Sequence, residues 1–207
     1  MHNCTYRARR LLYTGNNNGA ITVFDQVILV NAQDQKMGEC DKLLAHQKGL
    51  CHRAFSIFVV SDQPPRHVLL HKRHPKKYHS GSLWTNACCS HPQPNVSMET
   101  CLIQRLQYEM GIHCKTFEKI GTHHYQHTFA NGLIEHEFDH IYLCQIPRNS
   151  KIQPNPQEVE SFIWLPPQDI TVWLQEHPQQ FSPWFPQLWP SVLPKVAALP
   201  YAPQLPH

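Results

Sequence analysis

Three groups between Trp84 and Gly111 have the types and spacing that chemistry needs. Cys89 and His91 stand two residues apart, so an extended segment turns both to one face. Glu109 is the third. At about 100° per residue, Leu102, Leu106 and Glu109 share one stripe of a helix from about Ser97 to Met110. A carboxylate in the last turn of that stripe meets the negative end of the helix dipole. It calls for a cation, unless the side chain snorkels to water.

A second pair lies in Leu133-Ile134-Glu135-His136-Glu137. On a strand, Glu135 and Glu137 point the same way, about 6.6 Å apart. Two such carboxylates repel unless a cation or a shared proton relieves them. A solvated strand face would also hold them, but the apolar run through Ile141-Tyr142-Leu143 lets the pair face a pocket instead. His46 and His52 flank a short loop before an apolar stretch. Alone, each suits a surface or capped histidine as well as a ligand. Together, His46, His52, His91, Glu135 and Glu137 offer three imidazoles and two carboxylates. That nitrogen and oxygen set suits Mn²⁺, Mg²⁺ or Zn²⁺ without choosing among them.

The elements that must position these groups follow from the apolar runs. Val27–Val30, Ala54–Val60 and His67–His71 read as strands, the middle one β-branched and aromatic. Lys36–Glu39 leads out of the first, and Lys72–Lys77 is a basic loop. After the central Cys–His segment and helix, His123–Phe129 alternates like a strand, Ala130-Asn131-Gly132 turns it, and Leu133–Ile146 returns. Val159–Leu165 is another strand, and Pro166-Pro167 opens a helix at roughly 168–175. Strands first, one central helix, then a strand–helix end fit an α+β sandwich with a mixed sheet. Residues 1–22 are expected to form a flexible arm, 23–189 the domain, and 190–207 a Pro-rich tail, where no Pro-free helix of useful length fits.

Composition excludes several classes. The 207 residues are 41% hydrophobic, enough for one domain with a core. No apolar run approaches the ~20 residues of a membrane span. A net charge of +3 is too small to imply nucleic acid. The eight cysteines include no CxxC pair, and adjacent Cys88 and Cys89 would make a strained bridge. Free thiols and a cytoplasmic setting are expected. Sixteen histidines raise the prospect of a metal site.

The segments Trp84-Thr85-Asn86…Cys89-Ser90-His91-Pro92 and Arg105…Tyr108-Glu109-Met110-Gly111 resemble the core of the type 1 isopentenyl-diphosphate isomerases, in the Nudix superfamily. The resemblance runs from about Val27 to Trp189 and implies a Nudix-like α/β/α sandwich. By that similarity, His46, His52, His91, Glu135 and Glu137 form one metal site. Cys89, rather than Cys88, and Glu137 are the acid–base pair. Tyr125 relays a proton, and Trp184 offers its ring to a carbocation. Glu109 binds a second Mg²⁺ carried on the diphosphate. Lys42, Arg73, Lys77 and Ser90 lie on the substrate side. The implied reaction converts isopentenyl diphosphate to dimethylallyl diphosphate, in isoprenoid biosynthesis. The partner is therefore a small isoprenoid diphosphate, with no membrane or nucleic acid involved. There are departures: the interval from His46 to His52 is short, and Ser80-Gly81-Ser82 stands where the family has Pro-Gly. The Nudix box is eroded, as in the isomerase branch. A Nudix diphosphate hydrolase, which needs more of those glutamates, is the first competing expectation. A non-catalytic metal- or nucleic-acid-binding module is the second.

Overall fold

The computed structural model describes residues 25–199. The arm expected over 1–22 lies outside them. The chain opens with β1 (Gln26–Val30), whose apolar residues are mostly buried. A turn follows in which the Asn31 side chain accepts from the backbone N–H groups of Gln33 and Gln35. Lys36–Asp41 then returns as β2, paired antiparallel with β1. Sequence suggested only a lead-out here, because Lys, Gly, Glu and Asp are poor strand formers; pairing with β1 decides the conformation. Asp41 caps α1 (Lys42–Lys48) by accepting from the backbone N–H of Leu44 at 2.9 Å. Gly49, left-handed at φ 61°, ends it.

The central strand is β3 (His52–Ser61), where every residue but Arg53 is buried. Such a strand must be covered on both faces. Antiparallel to it run β4 (Val68–Arg73) and β6 (Cys88–Ser90), while β5 (Trp84–Asn86) extends β4. On the other side β8 (Ile134–Ile146) pairs parallel with β3, from His52 opposite Glu137 to Ser61 opposite Ile146. The long strand β7 (Glu118–Thr128) is antiparallel to β8, and β9 (Val159–Leu165) to β4. Among the described residues these nine strands form one mixed sheet.

Two layers cover the sheet. Phe55, Ile57 and Val59 pack with Leu102, Leu106 and Met110 of α2 (Met98–Met110). Ser97 caps that helix and left-handed Gly111 ends it. The intervening β3 residues Phe58 and Val60 pack beneath α3 (Pro167–Glu176) and α4 (Phe185–Ala198). The result is the α+β, α/β/α sandwich expected from sequence.

The C-terminal helix runs into the Pro-rich stretch expected from residue 190, and it is not a Pro-free one. It runs through Pro190 and Pro194. Each proline leaves the carbonyl four residues before it without a helical donor. Both prolines are exposed, so water can take that place, while Leu188, Val192 and Val196 bury the opposite stripe.

Candidate active site

The parallel pairing of β3 with β8 sets Glu137 directly beside His52. Cross-strand pairing with β7 sets Tyr125 opposite Glu137. Glu135 and Glu137 are 4% and 8% exposed, which removes the solvated-face alternative. His46 comes from α1, and His91 follows β6 immediately.

These side chains converge. His52 Nε2 lies 3.2 Å from His91 Nε2, which lies 2.8 Å from Glu137 Oε1. One ligand atom from each of His46, His52, His91 and Glu137 falls within 4.8 Å of the others. His46 and His52 donate through Nδ1 to the backbone carbonyls of Lys42 and Leu50, at 2.6 and 2.7 Å. Each ring is thereby fixed with an Nε2 lone pair aimed inward, as metal-bound imidazoles are. His46 Nε2 is buried without a hydrogen-bond partner among the described residues. An orphaned acceptor among two imidazoles and a carboxylate fits a divalent cation.

Glu135 is placed slightly differently. Its Oε1 is 3.5 Å from His46 Nε2 but 2.8 Å from Nε2 of His79, a residue sequence had not singled out. His79 lies between Arg73 and Trp84, in a loop without the periodicity that would have assigned its direction. Tyr125 bridges the pair, donating to Glu137 Oε2 at 2.7 Å and approaching Glu135 Oε2 at 3.3 Å. Burial holds His52 down to about 4 and His91 well below its ordinary range, so both favour the neutral form that binds metal. Burial and the neighbouring Glu135 charge push Glu137 well up. Burial also raises Glu135, but its neighbours, with the His79 contact among them, more than reverse this and hold it well below the usual carboxylate range.

Cys89 lies beside this group. Its thiol donates to Asn86 Oδ1 at 3.0 Å, and Trp184 Nε1 donates to both Cys89 Sγ (3.1 Å) and Thr85 Oγ1 (2.9 Å). Ser56 Oγ is 3.6 Å from the same sulfur and donates to Asp139 Oδ2 at 2.8 Å. Burial, with Asp139 near, pushes the Cys89 thiol up to about 12, so it stays protonated. Cys88, one residue earlier, is fully buried in the core beneath α2.

One cavity is lined by Cys89, Glu137, Glu135, Tyr125 and Trp184, together with Lys42, Arg73, Lys77, Ser90, His91 and Glu109. His46 and His52 stand behind it. Ser56, Tyr78, His79 and Arg105 complete the wall. Arg105, one helical turn before Glu109, lies 2.5 Å from its carboxylate. Lys77 pairs with Glu158. The Arg73 guanidinium lies 5.2 Å from the centre of the Trp184 ring. Burial, then Arg105, lowers the Lys42 ammonium, so an anion beside it would be strongly favoured.

Sandwich, buried carboxylates and basic cavity together have the form of a Nudix protein, and residues 51–188 match the NUDIX domain family. Among solved structures the chain resembles a Deinococcus radiodurans protein, with TM-score 0.63 and 14% identity over 80% of this chain and 97% of that one. It also resembles the Nudix hydrolase RenU from M. smegmatis, with TM-score 0.56 and 13% identity over 86% and 98%. At these identities the likeness concerns the fold. Sequence relatives are more specific. An "Isopentenyl-diphosphate Delta-isomerase 2" of Aromatoleum aromaticum is 41% identical over 160 residues, covering 77% of this chain and 82% of its own. An isopentenyl-diphosphate Delta-isomerase of Aliivibrio fischeri is 40% identical over 173 residues, covering 82% and 95%. The chain therefore belongs to the isopentenyl-diphosphate Delta-isomerase family of Nudix proteins. No helix among the described residues is long and apolar enough to cross a membrane.

Proposed function

We propose that Cys89 and Glu137 are the proton-transfer pair with which this isomerase converts isopentenyl diphosphate to dimethylallyl diphosphate. The observation that carries the assignment is their meeting in one cavity, from separate strands, beside Trp184 and a basic wall. An unactivated alkene is a weak base, so the acid that protonates it must be well placed and dry. One member of the pair gives its proton to the terminal methylene carbon, leaving a tertiary cation. The other removes a proton from the carbon on the far side of the cationic centre, and the double bond forms there. The net result is isomerisation, with no electrons gained or lost. Which member acts first depends on direction.

Asn86 and Trp184 hold the Cys89 sulfur in place. Tyr125 holds Glu137 Oε2 and can pass it a proton. The Trp184 ring offers π-electron density to the cation and no nucleophile to trap it, a contact worth ~2 kcal/mol or more when desolvated. Lys42, Arg73, Lys77 and Ser90 would hold the diphosphate, which would give Lys77 an anion besides Glu158 and Arg73 one besides its contact with the Trp184 ring. Glu109 would receive the Mg²⁺ that travels with the diphosphate. A divalent ion among His46, His52, His91 and Glu137, with Glu135 alongside, would supply positive charge that relieves the carboxylate pair and tunes Glu137. The donor set suits Mn²⁺, Mg²⁺ or Zn²⁺, and metal analysis of the purified chain identifies it.

The deciding experiment is incubation with isopentenyl diphosphate and Mg²⁺ in D₂O, followed by proton NMR. Dimethylallyl diphosphate should appear with deuterium at the allylic positions in the wild type and not in Cys89→Ala or Glu137→Gln. Deuterium incorporation by both variants at the wild-type rate would break the assignment.

A further inference from the structure

The strands that turn catalytic side chains inward turn other donors outward. His136 lies between Glu135 and Glu137, His124 precedes Tyr125, and Cys51 precedes His52. None of the three lines the cavity, yet they meet one another. Cys51 Sγ is 3.6 Å from His124 Nε2, which is 3.1 Å from His136 Nε2. The two rings stack at 5.3 Å between centroids and 14° between planes. His136 donates through Nδ1 to the Gly49 carbonyl at 2.9 Å, leaving its Nε2 with a lone pair. Gly49 is the left-handed cap of α1, and a Cβ there would come within 3.1 Å of Ile134, so the carbonyl that orients His136 belongs to a tightly fitted turn.

We propose that Cys51, His124 and His136 form a second metal site, on the outer surface of the β7–β8 pair, that takes a thiophilic cation such as Zn²⁺. The spacing suits it. With Zn–N near 2.05 Å and Zn–S near 2.3 Å, tetrahedral angles put nitrogens about 3.4 Å apart and sulfur about 3.6 Å from nitrogen. All three donor atoms lie within 4.8 Å of one another, and solvent supplies the fourth position. The chemistry separates this site from the inner one, which offers nitrogen and oxygen only, because a thiolate selects softer ions. On binding, the Cys51 thiol gives its proton to solvent and no electron moves. An ion here ties the residue before β3 to both β7 and β8, one residue from His52, Glu135, Glu137 and Tyr125. The outer site thus clamps the wall of the inner one without touching substrate.

The test uses the full chain, stripped of metal and titrated with Co²⁺. The wild type should bind two equivalents, and one should give a thiolate-to-cobalt charge-transfer band that Zn²⁺ abolishes. Cys51→Ser, a near-isosteric change, should lose that band and one equivalent while keeping the other. His124→Gln, at an exposed position, should weaken the second equivalent by roughly tenfold or more, the scale that outer partners of metal ligands already command. A wild type without a thiolate band once the inner site is full would overturn the proposal. So would a band that survives Cys51→Ser. Neither readout depends on turnover, so the outcome stands apart from that of the isomerase assay.

Discussion

Cys88 and Cys89 are neighbours in sequence and occupy different worlds. Cys88 is sealed among Phe55, Ile57, Leu102 and Leu106, beneath α2. Cys89 packs against the layer under α4, where Trp184, Ser56 and Asn86 surround its sulfur. The difference is one step of strand alternation. The same step on β8 sends Glu135, Glu137 and Asp139 inward and leaves His136 and Phe138 half-buried. The layer beneath α2 is mostly apolar, with Arg105, Glu109 and His71 among its buried polar members. The other layer accepts buried carboxylates and imidazoles, whose desolvation is tolerable only if paired or metal-bound. Most of the buried polar groups thus gather on one face of the sheet, and α2 adds Arg105 and Glu109 to the cavity wall from the other.

The sharpest way to break this contrast is to exchange the cysteines' roles. Cys89→Ala should lower turnover by about 10²–10⁴-fold or more, the usual scale for a general acid or base, and leave the unfolding temperature nearly unchanged. Cys88→Ala should do the reverse, costing about 1 kcal/mol of stability with turnover within a few-fold. Equal losses of turnover would abolish the distinction. Glu137→Gln should stop turnover in protein that still holds metal. His52→Ala should act first through metal content, because His52 contributes an Nε2 and no proton to the reaction. Metal analysis of both variants separates the two effects. On the apolar side, Leu106→Ala should cost about 2–5 kcal/mol in denaturant unfolding, while activity per folded molecule persists. A specific loss of activity there would mean that α2 does more than support Glu109.

Much of this arrangement is legible in the sequence. The runs Ala54–Val60 and Leu133–Ile146 announce strands by β-branched content, and period two puts Glu135 and Glu137 on one side. The stripe of Leu102, Leu106 and Glu109 is buried as the helical period requires. What escaped was set by long-range contact. β2 is a strand because β1 pairs with it. His79 reaches Glu135 from an irregular loop whose course no period encodes. Asn86 was visible as part of a motif, but that its Oδ1 accepts from Cys89 depends on a turn between two short strands. Arg105 stands four residues before Glu109, a spacing that foretells their pairing. The helical stripe that drew attention to the carboxylate did not include its partner.

A pH-dependent effect concerns His71, a buried polar group on β4. His71 shares the side of Leu69 by alternation and is 1% exposed. Burial, then the positive charges of Arg73 and Lys77, depresses it to about 3, against a contact with the Ala87 carbonyl and the Glu158 charge that raise it. Its Nδ1 has no partner among the described residues, as befits a ring kept neutral. The sign follows from proton counting. Below the ordinary histidine pKa of about 6.5, the unfolded chain takes up a proton that the folded chain refuses until about pH 3. The stability that His71 confers is therefore complete above about pH 6.5 and is lost as the pH falls toward 3. Between pH 7.5 and 5 the loss comes to about 2 kcal/mol. His71→Gln keeps a donor for the Ala87 carbonyl and removes the ionisation. Unfolding of the two proteins in urea across this range should show the wild type losing its advantage toward acid pH. Parallel curves would mean that the ring already carries its proton in the fold, and that this face of the sheet tolerates charge as readily as the catalytic one.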